Sequence, residues 1–221
     1  MKRFCGYALG GVELVSQVAG PLDIALEGQS ILKGLGDTEA LRDLERLEVT
    51  AYRFTAVASE FARLRKLKAL TLHRGVAVDD AFIQALSHLP LESLEFSQHA
   101  VKDVRTFLRP GLKHLGLHVP GAAGLDVLRD AGLESMTLYY GQNHLKALPP
   151  GLLSLSLRSG SGFNPDAVAC KDTVETLTLM GVSRLYGLDE LLQWPKLKRL
   201  VCDYRVRPSQ AVRDAIEVID R

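Results

Sequence analysis

An excess of charge of either sign is missing: 27 lysines and arginines face 26 aspartates and glutamates, for a formal net charge of +1 over 221 residues. A chain held to phosphate usually carries a basic surplus or a concentrated basic face. Nucleic acid is therefore a poor first partner. Cysteine is scarce as well. Cys5, Cys170 and Cys202 are too few and too scattered for a disulfide framework or a zinc cluster, and their odd number fits a reducing compartment. No apolar run reaches the roughly 18 residues that a membrane helix needs. Met1-Lys2-Arg3 followed by Phe4 to Val12 has the outline of a secretory leader, but Glu13 interrupts it and Gly6, Gly10 and Gly11 dilute it. A cytoplasmic protein without membrane contact is expected. Phosphate-loop, Gly-x-Gly-x-x-Gly and His-Glu-x-x-His motifs are absent. Ser159-Gly160-Ser161-Gly162 reads as a turn and lacks the Gly-x-Ser-x-Gly elbow of a hydrolase. Neither a cofactor nor an enzymatic activity is expected.

What is present is ordinary globular usage, 47% hydrophobic and 24% charged. The length suits one domain spanning 1–221. A six-residue phrase recurs along it. Copies run from Leu44 to Val49, Leu67 to Leu72, Leu91 to Phe96, Leu112 to Leu117, Leu133 to Leu138, Leu152 to Leu157, Val174 to Leu179 and Leu197 to Cys202, with a weaker one from Pro21 to Leu26. Their starts lie 23, 23, 24, 21, 21, 19, 22 and 23 residues apart. Places four and six are apolar in all nine copies. Such alternation makes a short strand with one buried face. Each strand must return through an outer segment before the next can lie parallel beside it. One unit cannot bury its apolar face alone, so neighbours stack around a shared core.

Over residues 21–204 this pattern resembles the leucine-rich repeat family, whose phrase is Leu-x-x-Leu-x-Leu-x-x-Asn/Cys-x-Leu. The resemblance implies an α/β horseshoe solenoid: about nine coils, a parallel concave sheet and a mixed helical and extended convex side. The ninth place departs from the family. It holds Tyr52, Gly75, His99, Pro120, Gly141, Gly160, Val182 and Arg205, so the family's asparagine ladder is missing.

Outer segments and ends can be read too. Phe82, Leu86 and Leu89 follow Asp79-Asp80 at helical spacing, and Val57, Phe61 and Leu64 read similarly. Leu188, Leu191 and Leu192 suit a helical turn, whereas Leu145, Leu148, Pro149 and Pro150 suit a short extended return. Residues 1–20 are expected to cap the first coil as a hairpin. Residues 205–221 are expected to close the last with a helix whose apolar face is Val212, Ile216 and Ile219.

With places four and six inside, places three, five and seven face the concave surface. Solenoids usually bind there. His73, Arg74, Glu95, Ser97, His114, His118, Tyr139, Tyr140 and Arg158 form the candidate partner-binding patch, among small Ser, Thr and Gly residues. Tyrosine and arginine bury much area while keeping a polar handle, the chemistry of binding hot spots. Histidines spaced along and across strands do not converge on one centre, so no metal site is expected. The reading is a non-catalytic protein-binding module of effector, immunity or scaffold type. The alternative is an anion or nucleic-acid binder through Arg63, Arg65, Lys66, Lys68, His73 and Arg74, a run that Glu45, Glu48 and Glu60 would offset. An enzyme with an unmotifed site among His73, Glu95 and His118 is the third.

Overall fold

Apolar side chains at alternate places of each phrase favour an extended backbone that buries one face. The computed structural model describes residues 2–7, 22–27, 43–50, 54–55, 61–73, 76–77, 80–100, 103–118, 125–139, 142–160 and 162–221. Two compact units divide the chain: Met1–His99 with Arg109–Leu112, and Ala100–Leu108 with Lys113–Arg221.

The first unit holds strands β1 (Lys2–Tyr7), β2 (Leu22–Glu27), β3 (Leu44–Thr50), β4 (Phe54–Thr55), β5 (Ala69–Leu72), β6 (Val76–Ala77) and β7 (Ser93–Ala100). Parallel ladders join β1 to β2, β2 to β3, β3 to β5 and β5 to β7, and β4 pairs with β6 outside them. Fourth places share one line, with Ile24 opposite Leu47, Leu47 opposite Leu70 and Leu70 opposite Leu94. Where β2 meets β3 the register shifts, Leu22 facing Leu44 but Asp23 facing Arg46, so Glu45 is one residue extra. Helix α1 (Asp80–Ser87) forms where Asp79-Asp80 opens the Phe82, Leu86 and Leu89 stripe. It buries Phe82 and Leu86, and Phe82 meets Phe61 edge to face with centroids 4.9 Å apart. At its end Leu89 N–H and the Arg109 guanidinium both donate to the Leu86 carbonyl, which has no partner within the helix. Phe61 and Leu64 are buried as their helical spacing implies, while Val57 lies outside the described residues.

The second unit holds β8 (His114–His118), β9 (Ser135–Tyr139), β10 (Ser154–Gly160), β11 (Thr176–Val182), β12 (Arg199–Cys202), helix α2 (Gln210–Ala215) and β13 (Glu217–Asp220). Each strand pairs in parallel with the next. Leu115, Met136, Leu155, Leu177, Leu200 and Val218 stand in one lateral row, and Leu117, Leu138, Leu157, Leu179 and Cys202 in another. Except for the half-buried Val218 these side chains are buried. First-place Leu133, Leu152, Val174 and Leu197 line the core beside them. Burying each such side chain contributes about 1.5–3 kcal/mol, which is why the row rather than any turn fixes the register. Returns use single 3₁₀ turns at Val104–Phe107, Leu125–Asp130, Gln142–Ala147, Pro165–Ala167 and Leu188–Gln193. The tighter helix climbs further per residue, so it suits a coil with few residues to spare.

Three local expectations are corrected. Residues 205–221 do not close as one helix: α2 ends at Ala215, Ile216 is extended, and Glu217–Asp220 adds a strand to β12. Ser209 caps α2, its hydroxyl accepting from Val212 N–H at 3.4 Å. The β-branched Val218-Ile219 pair then gains a full ladder by turning extended. At the other end Lys2–Tyr7 pairs in parallel with β2, and the rest of the hairpin expected over residues 1–20 falls on residues 8–20, outside the described residues. The return through Leu145 is 3₁₀ rather than extended, which buries Leu145 and Leu148 together. Ser159 and Gly160 belong to β10 rather than to a turn. Among the described residues no helix is long and apolar enough to cross a membrane.

Candidate partner-binding surface

Places three, five and seven of the second unit form three rows across the open sheet face. Place seven sets His118 beside Tyr139, Tyr139 beside Arg158 and Arg158 beside Met180. Parallel neighbours stand about 4.8 Å apart, so these groups form one continuous line. The middle row is small: Gly116, Thr137, Ser156 and Thr178, ending at Val201. Thr137 is only 5% exposed, so the taller side chains around it make the middle row a trough. Place three carries His114, Ser135, Ser154, Thr176 and Arg199. His114 Nδ1 lies 2.8 Å from Ser135 Oγ, the donor depending on the tautomer, and Arg158 Nε donates to Ser156 Oγ at 3.4 Å. Arg199 pairs with Glu217 on β13 at 2.8 Å. Arg158 is exposed, and His114, His118 and Tyr139 are half-buried.

In the first unit His73 Nε2 lies 2.8 Å from Glu48 Oε1 of the preceding coil, both partly exposed. Glu95 stands opposite Thr71 on β7. Ser97 is in β7, but its side chain, like Arg74 and Tyr140 as whole residues, lies outside the described residues. The nine-residue patch is thus divided. His114, His118, Tyr139 and Arg158 are brought together in one unit, and His73 and Glu95 belong to the other.

Two lysines of the basic run in the first unit are paired with carboxylates of the preceding coil. Lys66 Nζ meets Asp43 at 2.6 Å and Lys68 Nζ meets Glu45 at 3.3 Å. The hydrogen bond from Lys66 to Asp43, with the charge behind it, raises the Lys66 ammonium above its ordinary range. Glu45 and Glu48 offset the run as expected, Asp43 joins them unforeseen, and Glu60 lies outside the described residues.

Thiol chemistry is turned inward. Burial pushes the Cys170 thiol up to about 12. Burial, then the Asp220 carboxylate, pushes Cys202 up to about 11. Both are neutral core groups near neutral pH. Among the described residues no three His, Cys, Asp or Glu side chains are grouped to hold a metal ion.

Sequence reasoning missed the groups on the turns that follow the strands. Among the described residues Tyr186 and Tyr204 are the most exposed large apolar side chains, and Asp203, counted as a surface residue at place seven, is buried. Its carboxylate accepts from Gly181 N–H and, at 3.0 Å, from Arg205 N–H. The signal available was the repetition of Arg and Tyr just past place seven, in Arg184, Tyr186, Tyr204 and Arg205.

Compared with known proteins, the chain matches no protein-family model and no curated protein sequence.

Proposed function

We propose that this chain is a non-catalytic protein-binding module, each unit a stretch of leucine-rich-repeat-type solenoid, with a protein partner docking on the sheet face. The observation that carries the reading is the in-register row His118, Tyr139 and Arg158 above the trough of Gly116, Thr137 and Ser156. A stiff parallel sheet loses little entropy on docking, so side-chain contacts convert more fully into affinity. Tyrosine and arginine at the centre of such a face are the residue types that dominate binding energies. Pairing of Lys66, Lys68 and His73 with carboxylates weighs against the anion-binding alternative.

The test is affinity capture from source-cell lysate with mass spectrometry, comparing wild type with the Tyr139→Ala/Arg158→Ala double variant. The expected result is a protein retained by wild type and lost by a variant whose circular dichroism is unchanged. Equal capture by both would refute the assignment.

A further inference from the structure

The chain leaving β10, β11 and β12 turns along one edge of the second unit. Backbone bonds stack these turns. Ser183 N–H donates to Gly160 O at 2.9 Å, Phe163 N–H to Arg184 O at 2.8 Å, Tyr186 N–H to Phe163 O at 3.0 Å and Asp203 N–H to Leu179 O at 3.3 Å. Onto this edge they bring Arg184, Arg205 and Arg207, all exposed, with Tyr186 at 58% and Tyr204 at 75% exposure, while the exposed Arg158 stands at place seven of β10 just before the first turn. Arg205 lies 5.5 Å from the Tyr204 ring centroid and its Nε donates to the Tyr204 hydroxyl at 3.2 Å, which holds both side chains outward.

Beyond these turns the Asp189 carboxylate accepts from the Ser209 hydroxyl at 2.5 Å, but within them the charge of this edge is one-sided. Its turns contain no lysine, and their single acid, Asp203, is buried against backbone N–H groups. Among the described residues none of the four guanidiniums has a carboxylate within 4.0 Å, whereas Lys113, Lys171, Lys198, Arg199 and Arg213 of the same unit each have one. Arg129, Lys146 and Lys196 also lack such a partner among the described residues, but they are scattered along the unit, whereas Arg184, Arg205 and Arg207 follow one another on these turns. Arginine forks match carboxylates two bonds at a time. Arginine and tyrosine without lysine is the composition of a protein interface, while a phosphate track draws on both basic residues and on a basic whole. The whole carries +1.

We propose that this edge receives an acidic segment of a protein partner, its carboxylates on Arg184, Arg205 and Arg207 and an apolar side chain against Tyr186 or Tyr204. The proposal rests on the binding reading above, since Arg158 borders both the face and the edge, and it names the partner's chemistry.

The experiment is a fluorescence-anisotropy titration of the full chain with a labelled oligo-glutamate peptide, an oligo-glutamine control and an oligothymidylate of equal charge. Oligo-glutamate is expected to bind, oligo-glutamine not, and Arg184→Glu/Arg205→Glu/Arg207→Glu to weaken binding at least about tenfold. An Arg→Gln triple variant replaces the reversal if circular dichroism shows that the reversal does not fold. Oligo-glutamate binding no tighter than oligo-glutamine, or unmoved by the edge variant, overturns the proposal. Tighter binding of oligothymidylate, lost in the same variant, overturns it in favour of nucleic acid. Lysate capture separates the two readings. A partner lost with Tyr139→Ala but kept by the edge variant leaves the face reading standing and sinks the acidic edge. A partner lost with the edge variant alone does the reverse.

Discussion

The carboxylate of Asp203 ties two coils together by accepting the backbone N–H of Gly181, one coil earlier, while its other oxygen accepts from Arg205 N–H. A buried charged acceptor that satisfies two backbone donors is costly to delete, because both donors lose their partner at once. Asp203→Ala is expected to lower unfolding stability by about 2–3 kcal/mol in urea titration. Asp203→Asn, which keeps one acceptor, should lose less.

Fourth-place leucines hold the register. Leu177 is fully buried between Leu155 and Leu200. Leu177→Ala should cost roughly 3–4 kcal/mol through lost transfer and a residual cavity. Leu153, exposed at place two, should tolerate alanine within about 0.5 kcal/mol. Equal losses at the two positions would contradict the assigned faces.

Where β10 and β11 end, Ser159 at φ 54° and Gly181 at φ 68° bend the same way on adjacent coils, each one residue past the paired Arg158 and Met180. A Cβ on Gly181 would lie 3.5 Å from Ser159 atoms, so space is adequate and the cost is conformational. Gly181→Ala should destabilise by about 1–2 kcal/mol. Ser159→Gly relieves the same conformation but frees the unfolded chain, and should stay within about 0.5 kcal/mol of wild type.

The coil pattern was legible because one physical rule, apolar alternation at places four and six, repeats with little noise. Leu115, Met136, Leu155, Leu177 and Leu200 align as the phrase implies. Helix α1 was legible from its acidic start and the Phe82, Leu86 and Leu89 stripe. β13 was not, because Val212, Ile216 and Ile219 satisfy a helical period while Ile216 and Val218 fit an extended one. Only the ladder from Arg199–Cys202 decides between them. Four of the nine patch residues, His114, His118, Tyr139 and Arg158, follow from strand register. Tyr186 and Tyr204 sit on turns of unequal length, where place numbers no longer align neighbours, so no strand count could set them on one edge.

The two described thiols give a pH dependence of fixed sign. Cys170 and Cys202 are raised to about 12 and about 11 in the fold, above the unfolded value of about 8.5. Their contribution is therefore fully present below about pH 8.5 and is lost as pH rises toward the folded values. Urea midpoints should fall above that pH, less steeply in Cys170→Ala/Cys202→Ala. In a Cys5→Ser background at pH 8, Ellman's reagent should find almost no native thiol and both once denaturant is added.

Place two carries a ladder of charge along the edge where strands begin. Glu45 meets Lys68 in the first unit, and in the second Lys113 meets Glu134 and Glu175 meets Lys198. Lys198 holds the Glu175 carboxyl below its usual range. Leu153 is the one apolar rung in the second unit, its N–H donating to Glu134 O and its O accepting from Glu175 N–H. Leu153→Lys would place a cation between two carboxylates and should raise the unfolding temperature slightly at low ionic strength, an effect that shrinks in high salt.

That alternation gives the stack a parity. Excising the coil that bears Lys68 would bring Glu45 beside Glu92, and excising the one that bears Leu153 would bring Glu134 beside Glu175. Like charges would then face each other at the new junction. Coils of this chain should be lost or duplicated more safely in pairs than singly, and a chain stacked one coil out of step would meet repulsion along the same edge.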